Sequence, residues 1–366
     1  MKKQFFALSF LFFIVQWSNA QCPTGAITLS TQAQVDAFPT TYTSCTVIPD
    51  GVDLKIMGAN ITDLSPLSQL TSILGAFEIR NCPLLANLNG LHNISVIGND
   101  ELDGFILRDL PALTSLAALA NLDSITGEFT IRTCNALNSL TGLNGVVAVN
   151  GSVIIRDNAI LQNLNGLNSL QFIGETLEIV QNTQLNDVSA LANVDTIVGG
   201  IEGGIFIEAN TILNNLYGLG NDSTSVGSNL DILLNPNLAI CAVPVICNYL
   251  ANPPAGAVIT INGNASGCNT EPEIIANCIL LSTNDHASSF NDIDVFPNPF
   301  SDYFQIKATN LSELKVEIYN VLGSKINGLV MKDTEQFNTS GLAPGTYFIK
   351  VTATEGQFKV IKIMKK

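Results

Sequence analysis

A repeat of 24 to 28 residues runs through most of this 366-residue chain and constrains its fold more than any other feature. Apolar anchor residues recur at successive spacings of 28, 24, 24, 24, 28 and 25 residues. The anchors are Ile79, Leu107, Ile131, Ile155, Ile179, Ile207 and Ile232, with a weaker turn near Ile56. One such unit cannot bury its apolar face alone, so the repeat predicts units that stack on one another.

Each repeat has the same internal pattern. Residues alternate around the anchor, as in Phe129-Thr-Ile-Arg, and this alternation predicts a short strand. Leucines follow six, nine and twelve residues past most anchors, and apolar residues such as Ile97 and Ile125 follow eighteen past. A second strand is therefore expected near that last position, with strands of successive turns about 4.8 Å apart.

The period and the Leu-x-x-Leu spacing resemble those of the receptor L-domain type of leucine-rich, right-handed β-helix. The resemblance covers roughly Gly51 to Ile240, although these repeats lack a long helix-forming segment on the return side. It implies an all-β fold in residues 51–240, a right-handed leucine-rich β-solenoid. It also implies binding surfaces on the sheet face or the edge loops, and no reaction.

The column three residues past each anchor holds Cys82, Leu110, Cys134, Asn158, Asn182, Asn210 and Asn235. In leucine-rich solenoids this column is internal, and its asparagines bond the backbone at the bend between turns. We therefore expect Asn158, Asn182, Asn210 and Asn235 to form a structural ladder. Cys82 and Cys134 stand two turns apart, about 9.6 Å on strand spacing. A disulfide needs Cα atoms within about 7 Å, so both are predicted to be free, buried thiols.

The other six cysteines lie at the two ends of the repeats, where a solenoid needs caps. Cys22 and Cys45 are expected to close an N-terminal cap at 21–50. Cys241, Cys247, Cys268 and Cys278 are expected to pin a C-terminal cap at 241–278, with all three pairings open. There is no Cys-x-x-Cys and there are two His, His92 and His286, both interpreted as surface residues, so no zinc site is predicted.

Residues 1–20 have a basic start, an apolar stretch and small residues before the predicted cleavage point, which predicts a secretory signal peptide. Residues 279–291 are predicted to be a linker. No other segment is long and apolar enough to cross a bilayer, so no transmembrane segment is expected in the mature chain.

The C-terminal segment, 292–366, alternates clearly between turns marked by Pro and Gly, which predicts a small antiparallel β-sandwich. It contains Asp292-Ile-Asp-Val-Phe-Pro-Asn-Pro-Phe and Gly341-Leu-Ala-Pro-Gly-Thr-Tyr-Phe. It resembles the C-terminal sorting domain of type IX secretion cargo. The residues that carry this sorting motif are Pro297, Asn298, Pro299, Gly323, Pro344, Gly345 and Tyr347. The resemblance implies the type IX machinery as a partner, a location outside the cell or on its surface, and attachment to surface lipopolysaccharide.

Charge is unevenly distributed along the chain. Residues 21–291 carry five basic and twenty-three acidic residues, whereas the segment from 292 onward is about neutral. A region this acidic excludes nucleic acid as a partner, because phosphate is bound by Lys and Arg. With 46% apolar and 13% charged residues, the chain has the composition of a protein with a large dry interior.

All four arginines, Arg80, Arg108, Arg132 and Arg156, directly follow their anchors, which predicts an outward column on consecutive turns. Two interpretations stay open at this point. The column is either a solvated charge ladder inherited by repeat duplication, or an anion-facing stripe that binds a glycan carboxylate or an acidic patch of a partner.

No catalytic motif is recognisable. The acids of one edge loop, Asp100, Glu101 and Asp103, are interpreted as solvated rather than calcium-binding, and no paired carboxylates mark a glycosidase. The sequence thus predicts a secreted or cell-surface binding or adhesion protein for an extracellular glycan or protein. It predicts no cofactor, metal or enzymatic activity. The alternative is a carbohydrate-active β-helix enzyme, either a polysaccharide lyase or a hydrolase.

Overall fold

A computed structural model describes residues 22–200, 203–281, 293–308, 314–320, 325–331, 336–353 and 358–366. They form two compact units, the first extending to Ile274 and the second beginning at Ile275. The predicted signal peptide at 1–20, His286 and most of the predicted linker lie outside the described residues.

Ten parallel strands form the long sheet of the first unit, and neighbours in this sheet come from successive turns. They are β1 (Ile27–Leu29), β3 (Leu54–Met57), β5 (Phe77–Arg80), β7 (Phe105–Arg108), β9 (Phe129–Arg132), β11 (Val153–Arg156), β13 (Thr176–Val180), β15 (Gly204–Glu208), β17 (Asn229–Leu233) and β18 (Ile259–Asn262). Each predicted anchor pairs with the next, for example Ile131 with Ile155, so the register follows the sequence period.

Eight two-residue parallel strands form the short sheet, again with one strand from each turn. They are β2 (Val47–Ile48), β4 (Ser72–Ile73), β6 (Val96–Ile97), β8 (Ser124–Ile125), β10 (Ala148–Val149), β12 (Phe172–Ile173), β14 (Thr196–Ile197) and β16 (Ser225–Val226). The chain thus alternates between the two sheets, and the second strand of each turn lies where the eighteenth-position apolar residues predict it.

The apolar side chains of the turns stack into one continuous core. Anchors and repeat leucines are fully buried, because alternate residues of each long-sheet strand point inward. Phe77, Phe105 and Phe129 stack on three consecutive strands, with ring centroids 5.2 and 5.8 Å apart. Similar residues occupy the same position in successive turns, so the core continues from one turn to the next.

Helices occur mainly in the cap segments, so the fold is mostly β rather than wholly β. They are α1 (Gln32–Thr41), α2 (Pro244–Ala251) and α3 (Glu271–Leu281), besides single 3₁₀ turns at Ser65–Leu67, Ala117–Leu119 and Ser189–Leu191. Helix α1 begins with a capping box between Thr31 and Gln34. This helix-start signal is present in the sequence, but the interpretation of the chain as strands did not use it. The caps also supply β1 and β18, so stacking extends beyond 51–240 at both ends.

Disulfides lie in both caps. Cys22 bonds to Cys45 with Cα atoms 4.9 Å apart, and Cys241 bonds to Cys268 with Cα atoms 5.4 Å apart. Cys247 and Cys278 are also in disulfides.

The second unit is built of antiparallel strands in two sheets. β19 (Ile293–Phe296), β20 (Tyr303–Ala308) and β23 (Gln336–Asn338) form one, in the order β19-β20-β23. β22 (Lys325–Met331), β21 (Leu314–Asn320), β24 (Gly345–Ala353) and β25 (Phe358–Lys365) form the other, in that order. Residues from both sheets, among them Phe304, Phe337 and Ile349, share one buried cluster.

Candidate functional site

The four arginines form a column on the outer face of the long sheet. Parallel register pairs Arg80 with Arg108, Arg108 with Arg132 and Arg132 with Arg156, on strands β5 to β11. Each follows a buried anchor, so its side chain points away from the core. Their side chains are 30 to 46% exposed, and Arg132 is the most exposed of the four.

Every lysine and arginine of residues 21–291 lies on this one face. Besides the four arginines the region has a single lysine, Lys55, on β3. Lys55 pairs in register with Glu78, which lies two residues before Arg80 on β5. All five cations of a region with twenty-three acidic residues are thus confined to one sheet face, where each has at least one carboxylate partner; Lys55 Nζ, for example, lies 3.3 Å from Asp53 Oδ2.

Carboxylates on the same face offset the repulsion between the stacked guanidinium groups. Glu78 Oε1 lies 3.3 Å from Arg80 Nε and 3.7 Å from Arg108 Nη2, so it links two turns. Asp109 Oδ2 lies 3.4 Å from Arg108 Nε. Glu78 and Asp109 thereby hold the side chains of Arg80 and Arg108 in place.

The second pair of arginines shares one aspartate. Asp157 Oδ2 accepts a hydrogen bond from Arg132 Nε at 3.0 Å and lies 3.5 Å from Arg156 Nε. Arg156 Nη1 donates to Glu178 Oε1 at 3.0 Å. Among the described residues, the two Nη groups of Arg132 have no ion-pair or hydrogen-bond partner. Arg132 therefore offers a planar fork for an incoming carboxylate or sulfate, with its Nε already fixed.

The edge-loop acids do not form a metal cluster. Asp103 is buried, and its Oδ2 accepts the backbone N–H groups of Asn99 and Asp100 at 3.2 and 3.3 Å. Asp103 thus holds the loop together instead of facing a ligand. Within the described residues, no group of three or more His, Cys, Asp or Glu could hold a metal ion. His92 is exposed, in a loop between strands.

The predicted asparagine column is a buried ladder. Asn158, Asn182, Asn210 and Asn235 are each fully buried. Each Oδ1 accepts the backbone N–H of the column residue one turn earlier, and each Nδ2 donates to the anchor carbonyl of that earlier turn. The ladder continues to Asn264, three residues past Ile261, which the sequence interpretation missed because it assigned that stretch to the cysteine cap.

Cys82 and Cys134 occupy the same column as free, buried thiols. Burial raises the pKa of the Cys134 thiol to about 12, with a smaller contribution of the same sign from the charge of Asp109. Burial also raises the pKa of the Cys82 thiol. Neither thiol has the thiolate character that a nucleophile or metal ligand requires.

The sorting-motif residues stabilise the fold of the second unit. Asn298 Oδ1 accepts from the Met364 backbone N–H and its Nδ2 donates to the Lys362 carbonyl, both at 3.0 Å, which ties the Pro297-Asn-Pro299 turn to β25. Tyr347, in β24 just after Pro344 and Gly345, donates its hydroxyl to Ala343 O at 2.7 Å. Gly323 lies outside the described residues.

A charged cluster on β21 and β22 was not predicted from the sequence. Glu317 Oε1 lies 2.6 Å from Lys325 Nζ and 3.4 Å from Lys315 Nζ, and Tyr319 donates to Glu317 Oε2 at 3.3 Å. The bond from Lys325, helped by Lys315, lowers the pKa of Glu317 to about 2 despite its burial. The alternation of β21 puts Lys315, Glu317 and Tyr319 on one face of the strand. Only the register between β21 and β22 pairs Lys325 with Tyr319 and so brings it within reach of Glu317.

Two comparisons with known proteins bear on the function. Residues 294–366 match the family model of the secretion system C-terminal sorting domain. A curated protein named endo-acting ulvan lyase, from Formosa agariphila, is 36% identical over 104 residues, which cover 25% of this chain and 19% of that protein. The chain thus spans about a fifth of the length of this relative.

The family match identifies the C-terminal segment as a type IX sorting domain, so the protein is exported to the cell surface or the medium. In the described part of the chain, no helix reaches the length and hydropathy of a membrane span. The expectation that the chain has no enzymatic activity is contradicted by the similarity to a lyase. That expectation rested on the absence of a catalytic motif, but a sheet face presents its groups from successive turns and leaves no local motif in the sequence.

Proposed function

We propose that this protein is an extracellular polysaccharide lyase that recognises an acidic polysaccharide through the outer face of the long sheet. The observation that carries the proposal is the confinement of all five cations of residues 21–291 to that face. The ulvan lyase relative and the stack of parallel strands support the same reaction class.

The chemistry of a lyase fits a column of arginines. A base removes the C5 proton of a uronate, the electron pair forms the C4–C5 double bond, the C4–O bond to the next sugar breaks, and the leaving oxygen takes up a proton. Negative charge spreads onto the carboxylate as the proton leaves, and Arg132 would stabilise it through its Nη groups. We assign the base to one of three ionisable groups on the strands of this face, Lys55, Glu78 or Glu178.

The column also suits a long substrate. Four arginines at about 4.8 Å spacing extend over about 14 Å, so neighbouring turns can contact successive sugars of one chain. We further infer that the stacked turns are a right-handed solenoid of the receptor L-domain type and that the exported protein is attached to surface lipopolysaccharide. The repeat period and the sorting domain, respectively, support these two inferences.

The test is to incubate the purified protein with ulvan and with other uronate-containing polysaccharides, and to follow the ultraviolet absorbance of the unsaturated product. Arg132→Ala should lower kcat/KM by about ten- to a hundredfold, the range expected for losing a charged hydrogen-bond donor. Lys307→Ala is the matched control, because Lys307 is an exposed cation in the sorting domain.

Lys55→Ala, Glu78→Gln and Glu178→Gln then identify the base, whose loss should remove turnover while leaving retention on the polysaccharide. The proposal is wrong if none of these polysaccharides yields unsaturated product. It is equally wrong if cleavage occurs and Arg132→Ala and Arg108→Ala leave it unchanged.

A further inference from the structure

The two longer turns of the repeat carry their extra residues at the same corner of the stack. Seven residues separate Ile97 of β6 from Phe105 of β7, whereas three separate Ile125 of β8 from Phe129 of β9. The turn that begins at Ile179 has the same four-residue excess after Ile197 of β14. Three short turns lie between these two insertions, so they stand four strand spacings apart, about 19 Å.

A cleft of about 790 Å³ occupies this corner between the two insertions. The first insertion contributes Asn99, Asp100 and Glu101, and the far side is formed by Val198, Gly199 and Gly200. The short turns supply the floor, which consists of Thr126, Asn150, Phe172, Gly174 and Glu175. A volume of this size is in the range that holds small ligands.

The lining combines hydrogen-bonding groups with apolar surface. Three carboxylates, two carboxamides and one hydroxyl face the same space as the half-buried ring of Phe172. Val198 is 46% exposed and adds apolar surface on the far side of the cleft. In the described part of the chain, the side chains of Asn99, Glu101 and Asn150 make no hydrogen bond, so their polar atoms are available to a ligand.

Hydrogen bonds hold the first insertion, the floor and Gly199 of the far side in place. Asp103 holds the first insertion by accepting the backbone N–H groups of Asn99 and Asp100. Within the insertion, Leu102 N donates to Asp100 Oδ1 at 2.8 Å. On the floor, Glu175 Oε2 accepts from Ser152 Oγ at 2.9 Å, and Gly199 N donates to Glu175 O at 3.0 Å. A preformed cleft does not lose affinity to the ordering of its own loops.

We propose that this cleft is a second binding site, which takes a neutral oligosaccharide. Sugar rings have apolar faces for Phe172 and Val198, and their hydroxyl groups donate to the carboxylates and carboxamides around them. Among the described residues, no lysine or arginine lines the cleft, and its carboxylates repel an anionic chain. It is also separate from the arginine column, because none of the four arginines is among the described residues that line the cleft, and the column lies on the outer face of the long sheet.

The experiment uses the full chain and saturation-transfer NMR with cellohexaose, laminarihexaose, xylohexaose and mannohexaose as neutral probes, and oligogalacturonate as the anionic probe. At least one neutral probe should bind, and calorimetry on that probe then measures the variants. Asn150→Ala and Phe172→Ala should each weaken binding by about tenfold. Asn186→Ala is the matched control, since Asn186 is also exposed but lies outside the cleft.

Arg132→Ala should leave binding of the neutral probe unchanged, which separates this site from the proposed lyase surface. If no unsaturated product forms from any polysaccharide but Asn150→Ala still weakens a neutral probe, only the lyase proposal fails. The cleft proposal is overturned if none of the four neutral probes binds, or if both cleft variants bind as the unsubstituted protein does. Binding of oligogalacturonate that depends on Asn150 would also overturn it.

Discussion

Replacing Asn182 by alanine tests the buried ladder most directly. Asn182 Oδ1 accepts the Asn158 backbone N–H at 3.2 Å and the Asn158 side-chain amide at 3.1 Å, and Asn182 Nδ2 donates to Ile155 O at 2.8 Å. The substitution leaves the Asn158 N–H in a fully buried position without this acceptor. An orphaned buried N–H costs about 1–3 kcal/mol and each of the two other lost hydrogen bonds about 1 kcal/mol, so we expect a loss of about 3–5 kcal/mol.

The loss of stability should affect the turns next to Asn182 more than the rest of the first unit, because each turn contacts mainly its neighbours. Hydrogen exchange followed by mass spectrometry reports on this in the full chain. Peptides covering Ile155 to Leu161 should exchange at least about tenfold faster in the Asn182→Ala variant, since about 1.4 kcal/mol corresponds to a factor of ten. Peptides from the second unit should not change.

Asn186→Ala is the control within the same turn, because its side chain is exposed and makes no hydrogen bond within the described residues. It should shift stability by no more than about 0.5 kcal/mol. The reasoning is refuted if Asn182→Ala exchanges like the control. A uniform rise in exchange rate across the whole first unit would instead show that the turns unfold together, contrary to the expected local loss of stability.

Two further predictions concern titratable groups. Because burial raises the pKa of Cys134 to about 12, iodoacetamide at neutral pH should label neither Cys134 nor Cys82 in the native protein and both in urea; rapid native labelling of Cys134 would contradict its burial. Glu317 has its pKa lowered to about 2 from an ordinary 4.5, so its ion pairs stabilise the folded second unit above about pH 4.5, and that contribution is lost as the pH falls through about 2. The melting temperature of the second unit, followed by calorimetry, should therefore fall over that window, and Glu317→Gln should flatten the fall; an unchanged pH profile would show that the cluster contributes nothing.

The contacts of the repeating part could be predicted from the sequence, because equivalent residues of successive repeats become neighbours when the turns stack. Residues 24 to 28 apart in the chain become strand neighbours, so the anchors, the inward columns and the asparagine ladder could be derived from spacing alone. The same logic predicted that the four arginines would share one face. It also predicted free thiols at Cys82 and Cys134, and both are free and buried.

Spacing could not assign the partners of those arginines. Whether Asp157 pairs with Arg156 beside it or with Arg132 one turn away depends on side-chain conformations, and the structure shows both contacts through one oxygen. The absence of a motif was likewise a poor guide to activity. The similarity to a lyase contradicts the prediction of a non-enzyme, which rested on that absence.

The sequence alone determined the stack of turns, because burial of an apolar face with a fixed period admits few arrangements. It also determined the destination of the protein, because the sorting segment is matched as a contiguous stretch of sequence. Only the tertiary structure decided where a ligand could be held. The two insertions after Ile97 and Ile197 are about a hundred residues apart and share no pattern, and they face each other across Asn150 and Phe172 only because three short turns separate them in the stack.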